Sequence, residues 1–526
     1  MNRVLLIGLD GADPALAARW MAEGRLPRLA ALARRGHCGP LRSTMPPATF
    51  PAWTTCVTGV NPGRHGIFDF TEPVPGRRAL RFVNSTFRRA PALWNILSDA
   101  GRRVGVLGVP GTHPPEAVNG FMVAGFDSPV AAGIDAGFVH PRELYPEAAG
   151  WRFADFQEGR TGPGWHDRAH RRLLENIADK EAVALRLLRR EPWDFFMAVF
   201  GETDTVSHHF WMFHDPASPR HRAHPEHARA IRNVYERLDE TVGRLADAAG
   251  PDTRVLVVSD HGFTGAGDGV AHVNNFLAEA GWLAFSGGGS TSLLKRAGLG
   301  LVPERWRGAL FRRLRSLAES AESRSRFGGI DWSRTRAWSE ELSYFPSVRL
   351  NPAADVTSPA ERAAVVRELC ALLESWGPVA RALPRDAVYA GPHTEAAPDI
   401  LLVMAEEAGY PHTCLRARGG PSFRRMTPAE HGGGKERGMN GVHRDPGLLV
   451  CDGPVALSAS GLEDIAPTVL SLLGVAGPPM DGHDLFGGGG AAADGDAGVD
   501  SNAARAYTPG EERELERRLR DLGYLE

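Results

Sequence analysis

The chain has 526 residues, 43% of them hydrophobic, which is material for a large core and more than the roughly 250 to 300 residues at which a single domain usually stops growing. A formal net charge of -3 and a pI near 6.7 give no summed positive field to recruit a nucleic-acid polymer or an anionic membrane. The five cysteines, Cys38, Cys56, Cys370, Cys414 and Cys451, are odd in number, scattered and without a C-x-x-C pair, which argues against a disulfide framework and a thiolate zinc site.

Met1 is followed almost at once by the apolar run VLLIG and Asp10, which leaves no room for a signal peptide, and no apolar stretch reaches the roughly 18 to 20 residues of a membrane span. A soluble cytoplasmic protein is expected. Along the chain, VLLIGLD is followed by an amphipathic stretch from Pro14 to Arg35, and PAWTTCVTG opens another helix. Apolar runs recur at RRVGVLGVP, WDFFMAVF, TRVLVVSD and GLLVCDG with helix-like segments between them. Buried strands alternating with helices predict an α/β fold with a mostly parallel central sheet and helices on both faces. Such sheets bind ligands outside their carboxyl edge. The rhythm breaks over 286–350, which we expect to be an insertion or cap between two parts of the core, 1–285 and 351–486. Residues 487–507 have the Gly/Ala/Asp composition of a flexible linker, and 508–526, opening with Thr508 and Pro509, predict a terminal helix.

The polar residues at the strand ends carry the chemistry. Asp10 ends the first strand, where an Asp on its own is more often a turn former or helix cap than a ligand. Thr49 stands before Phe50 and Pro51 at a helix start, where N–H groups favour an anion; as a helix cap it would be unremarkable, and as a nucleophile its hydroxyl needs activation. Asp204 and His208 are four apart after an apolar strand, so on a helix they share a face from which His209 is turned away. Asp260 and His261 end VLVVSDHGF, where an adjacent carboxylate and imidazole at a buried edge call for a compensating cation. His443 lies in a Gly-rich loop before another apolar strand, and His431, Lys435 and Arg437 lie on the loop before it. Three carboxylates and three imidazoles suffice for two divalent ions, zinc first and manganese or iron next, which together can clamp an in-line displacement.

The order of LLIGLDGAD, PPATFPAWTTCVTGVNPGRHGIFDF, ETDTVSHH, VVSDHGF, NGVHRDPG and LEDIAPTVLSLLGVAGPPMDGHDL resembles the alkaline phosphatase superfamily, particularly its type I phosphodiesterase/nucleotide pyrophosphatase branch and bacterial phosphohydrolase/phosphomutase relatives. The resemblance implies a hydrolase of small-molecule phosphate esters. It implies one metal on Asp204, His208 and His443, a second on Asp10, Asp260, His261 and the Thr49 oxygen, and a covalent intermediate on Thr49. For His65 in the same motif we expect a structural role. The diesterase branch carries an Asn where this chain has Phe70, so other donors must hold the phosphate; the candidates are Asn61, Arg64, Lys435, Arg437 and Arg444. A sulfatase would need C-x-P-x-R, which the surroundings of Cys56 do not offer. The remaining alternatives are a phosphomutase of the same superfamily, a catalytically silent metal- or phosphate-binding module, and a scaffold using the C-terminal tail.

Overall fold

A computed structural model describes residues 3–74, 80–125, 134–152, 164–286, 327, 329–342, 345–352, 358–431, 439–456 and 460–487. The expected C-terminal helix over 508–526, nearly all of the linker, Lys435, Arg437 and most of 286–326 lie outside these residues.

The strands that build the main sheet are β1 (Arg3–Leu9), β2 (His37–Leu41), β3 (Val104–Leu107), β4 (Gly120–Val123), β5 (Val139–His140), β6 (Phe195–Phe200), β7 (Thr253–Val258) and β8 (Gly447–Cys451), in spatial order β2-β8-β7-β1-β6-β3-β4-β5. The five central strands, β7-β1-β6-β3-β4, are parallel, with Ile7 of β1 opposite Ala198 of β6 and Val257 of β7. The flanking strands pair antiparallel. Side chains alternate along a strand, and β1 divides accordingly. Leu5, Ile7 and Leu9 pack under one set of helices that includes α1 (Pro14–Ala22), α4 (Trp165–Arg190) and α6 (Ala230–Ala249). Val4 and Leu6 pack on the other face against α3 (Thr49–Thr58) and α7 (Ile465–Leu473). The expected α/β architecture is present, with its helices on both faces.

Further helices include α2 (Pro27–Arg34), α5 (Glu202–His214), which follows β6, and α8 (Pro359–Glu374). Helix α8 is closed by a capping box in which the Ser358 hydroxyl and the Glu361 carboxylate satisfy each other's backbone N–H.

A second, four-stranded sheet is ordered 337–338, 347–350, 400–404, 379–384, and its apolar face forms a separate core with Val273, Leu277, Leu369 and Leu373. It draws strands from both sides of position 350, so the region set apart from the main sheet continues well past the boundary expected from sequence. An apolar run such as ILLVM announces a strand without saying which sheet it joins. No helix among the described residues is long and apolar enough to cross a membrane.

Candidate active site

Parallel β1, β6 and β7 lie side by side, so their carboxyl ends deliver Asp10, the first turn of α5 and Asp260 to one edge of the sheet. The chain turns sharply after Asp10 at Gly11, whose φ is +69 and whose absent side chain would lie 2.6 Å from the Phe263 ring and 3.0 Å from the Asp204 backbone. Only glycine fits there. Strand residues 441–444 pair antiparallel with 262–265, placing His443 opposite Phe263 and beside His261. All seven residues expected at the centre, Asp10, Thr49, Asp204, His208, Asp260, His261 and His443, are brought together, and each is buried.

Each carboxylate of the β1/β7 pair is anchored through one oxygen. Asp10 Oδ2 accepts from the Trp53 indole at 2.9 Å, and Asp260 Oδ1 accepts from the Gly11 N–H at 3.1 Å. Asp10 Oδ1 and Asp260 Oδ2 are buried and accept no hydrogen bond among the described residues. The histidines are anchored in the same one-sided way. His208 Nδ1 donates to the Gly441 carbonyl at 2.8 Å, His443 Nδ1 to Pro47 at 2.9 Å and His261 Nδ1 to Gly262 at 3.2 Å. A carbonyl only accepts, so in the neutral rings the proton sits on Nδ1 and each Nε2 turns a lone pair inward.

Those lone pairs converge. His208 Nε2 is 3.3 Å from Asp204 Oδ1, His443 Nε2 is 3.1 Å from the same oxygen, and the two Nε2 atoms are 3.0 Å apart. His261 Nε2 is 3.3 Å from Asp260 Oδ2, 3.6 Å from Asp10 Oδ1 and 3.5 Å from the Thr49 hydroxyl. Ligands on a tetrahedral ion with bonds of about 2.0 to 2.2 Å are spaced about 3.3 to 3.6 Å apart, so the distances around His261 match a divalent-cation site and those around Asp204 are a few tenths of an ångström tighter, with the same donor chemistry. His261 lies between them. It groups with Asp10 and Asp260 and also with Asp204 and His443, whose ring stacks on its own at 3.7 Å.

The electrostatics point the same way. Burial, reinforced by Asp260 and Asp204, lifts the Asp10 carboxyl well above the usual carboxylate range, and burial does the same to Asp260. Burial would raise Asp204 too, but His208 and His443 together carry it well below that range. Burial lowers His261, aided by His443. The buried cation Lys180 is paired with Glu202 at 2.7 Å. Excess negative charge in a dry cleft is what a divalent cation offsets.

Thr49 is the first residue of α3 and fully buried; the cap position is held by Ala48, which has no capping side chain. The Thr49 hydroxyl is therefore not the helix cap that its position in the sequence would also have suited. His209 is turned away, its ring 5.1 Å from that of Trp165. His65 is engaged structurally at both nitrogens, with the Thr55 hydroxyl at 3.0 Å and the Ile67 N–H at 3.1 Å.

The substrate donors fare differently. Asn61 caps the turn at 62–65, and its amide bonds Asp481 at 2.8 Å and the Ala390 carbonyl at 2.9 Å. Arg64 bonds Asp481 at 2.7 Å and the Pro479 carbonyl at 2.8 Å. Both tie the core to the 479–481 segment through Asp481. Arg444 is exposed on the strand face opposite His443. At the position where an amide was expected, the Phe70 ring is 4% exposed and packs 4.3 Å from that of Phe50.

Several supporting residues carry no motif that flags them. The Ser259 hydroxyl accepts from Ala12 N–H and donates to the His261 carbonyl, and the Ser43 hydroxyl donates to the Asp260 carbonyl at 2.6 Å. Arg220 is 0% exposed and its guanidinium bonds the Gly267 and Met439 carbonyls, joining the loops that lead from His261 and to His443. Phe345, from the smaller sheet's approach, sets its ring 5.4 Å from that of His443.

Comparison with known proteins bears on the fold and the family. No curated protein matches the chain in sequence. Among solved structures, phosphonoacetate hydrolase from Sinorhizobium meliloti 1021, in complex with phosphonoformate, is similar at 18% identity and a TM-score of 0.52, over 90% of this chain and 95% of that one. Murine ectonucleotide pyrophosphatase/phosphodiesterase 5 is 14% identical with a TM-score of 0.48, over 91% of this chain and 97% of that one. A family model described as type I phosphodiesterase/nucleotide pyrophosphatase matches residues 4–414, a span that contains six of the seven converging residues and stops short of His443. The chain belongs to the type I phosphodiesterase/nucleotide pyrophosphatase family of metal-dependent phosphoric ester hydrolases.

Proposed function

We propose that the protein hydrolyses small-molecule phosphate esters through Thr49, with one divalent ion held by Asp204, His208 and His443 and a second by Asp10, Asp260, His261 and the Thr49 oxygen. The observation that carries this reading is the convergence of anchored side chains at one sheet edge, each with one polar atom fixed by the protein and the other turned inward, with the Thr49 hydroxyl 3.5 Å from His261 Nε2. Asp/His donor sets of this kind suit zinc first, then manganese or iron. When bound, the ions supply Lewis acidity, which lowers the pKa of the hydroxyl and of water and offsets charge on the phosphoryl oxygens.

The chain's own residues do the rest. The Thr49 oxygen attacks phosphorus, the bond from phosphorus to the leaving oxygen breaks, and the alcohol departs with a proton, leaving a phosphoryl group on Thr49. Water then attacks the same phosphorus, the bond from phosphorus to the Thr49 oxygen breaks, the phosphate product leaves, and a proton from the water restores the Thr49 hydroxyl. The start of α3, with no side chain capping its N–H groups, favours the anion in both steps. The carbonyls of Gly441, Pro47 and Gly262 fix each imidazole's tautomer and orientation. Phe70 offers no donor to the phosphate, so the distinction between monoester and diester falls to other groups. We also infer a cytoplasmic setting, supported by five unpaired cysteines, which suit a reducing compartment.

The test is hydrolysis of nitrophenyl phosphate and bis-nitrophenyl phosphate by metal-stripped protein restored with zinc or manganese, beside the Thr49→Ala variant. Turnover that returns with metal and requires Thr49 supports the reading, and the ratio of the two rates assigns the ester class. Full activity in Thr49→Ala contradicts the covalent route.

A further inference from the structure

Thr49 and Trp53 are four residues apart on α3, so both point from one face of the helix toward the end of β1. The Trp53 side chain is fully buried and its indole Nε1 lies 2.9 Å from Asp10 Oδ2, while Asp10 Oδ1 faces His261 Nε2 at 3.6 Å. Room for the indole is made in the strand itself. A side chain added at Gly8, two residues before Asp10, would begin 2.5 Å from Trp53 Cη2. An indole has one polar atom, a donor, and it is spent here on a carboxylate at the heart of the centre.

We propose that Trp53 is a positioning residue for the metal centre, whose indole N–H fixes one Asp10 oxygen so that the other is presented to the ion shared with Asp260, His261 and Thr49. The inference rests on the two-metal reading above and adds to it a link between the nucleophile's helix and one ligand. A buried carboxylate held by a single donor has few alternatives once that donor is gone. Without the N–H, Asp10 is free to rotate or to protonate, and the ion beside Thr49 loses a preset ligand. His208 and His443, which bracket Asp204, have anchors of their own and would be spared.

The experiment is a zinc titration of the metal-stripped full-length chain, by competition with a chromophoric chelator, in wild type, Trp53→Phe and a chain carrying 3-benzothienylalanine at position 53. The last residue keeps the bicyclic shape and replaces N–H by sulfur, so it separates the hydrogen bond from packing and still reports if Trp53→Phe misfolds. The expected result is that one of the two equivalents binds about ten- to a hundredfold more weakly in both variants, the range typical of groups that orient a ligand, while the other changes by less than about threefold. Wild-type affinity for both equivalents in the benzothienyl chain overturns the inference, as does equal weakening of both. A wild-type chain that takes up two equivalents with the variants unchanged sinks only this inference. A wild-type chain that takes up no zinc, manganese or iron sinks the two-metal reading and this inference with it.

Discussion

Buried carboxylates occur in two settings in this molecule, and they are satisfied differently. Away from the centre, Asp239 accepts the first N–H groups of α2 with both oxygens, from Arg28 at 3.0 Å and Leu29 at 2.7 Å. Asp464 uses both on Gly461 at 2.7 Å and His483 at 2.8 Å. Asp399, just before the 400–404 strand of the smaller sheet, accepts from the Leu350 N–H at 2.7 Å with one oxygen and from the Arg362 guanidinium with the other. At the carboxyl edge of the main sheet, Asp10 and Asp260 are anchored by one oxygen each, and the second accepts nothing among the described residues. Histidines divide the same way. His65 uses both nitrogens on protein partners, whereas His208, His261 and His443 are fixed through Nδ1 and turn Nε2 inward. In these residues the groups away from the centre are satisfied on both sides, whereas the candidate ligands are fixed on one side and turn the other toward one another.

The sharpest way to break this contrast is at the nucleophile. Thr49→Ala should lower turnover of the reporter esters by on the order of 10^4-fold or more, while metal content by elemental analysis stays at the wild-type value. Retained metal with retained turnover would show that the centre works without a nucleophile at Thr49.

Next come the carboxylates, exchanged between classes. Asp260→Asn should lose metal and activity, yet leave the metal-free protein as stable as wild type or more so, because an uncompensated buried charge is removed. Asp399→Asn should do the reverse, keeping metal and losing about 1 to 3 kcal/mol in urea unfolding, since an Asn side chain cannot accept on both sides. Similar stability losses in the two variants would erase the distinction.

Chelation tests the same idea without mutation. Removing tightly held metal should lower the melting temperature, since an ion present at about a thousand times its Kd contributes about 4 kcal/mol, and restoring zinc should reverse the shift. The smallest expected effect concerns His65. Its pKa is lowered to about 3, chiefly by burial and then by Arg88, from an ordinary 6.5. A depressed folded value means that the stability from neutral His65 is complete above about pH 6.5 and is lost progressively as pH falls toward 3. Protonation would also set an N–H on Nδ1 against the Ile67 N–H. His65→Gln should flatten the acid limb of a stability profile over that window.

Much of the centre was legible in the sequence because strand ends and helix spacing are local properties. Asp260 and His261 follow an apolar strand directly, and Asp204 and His208 share a helix face. His443 was legible as a candidate ligand in a Gly-rich loop, but its place opposite Phe263 is a matter of strand pairing that no local pattern specifies. The anchors were not legible. Ser43 and Asp260 are 217 residues apart, and Arg220 reaches a carbonyl 219 residues away. Distance along the chain also explains Asn61 and Arg64, whose shared partner Asp481 lies more than 400 residues on. Donors that look available in a motif can be used up by a segment that folds back late. For the insertion, local hydrophobicity reported strands but not their sheet.

The most direct test is to count metal ions per chain by elemental analysis after zinc loading and desalting, in wild type and Asp260→Asn. The account predicts about two ions in wild type, as an in-line two-metal displacement requires, and about one in the variant. A wild-type chain that retains no metal, or an Asp260→Asn chain that retains as much as wild type, would contradict it.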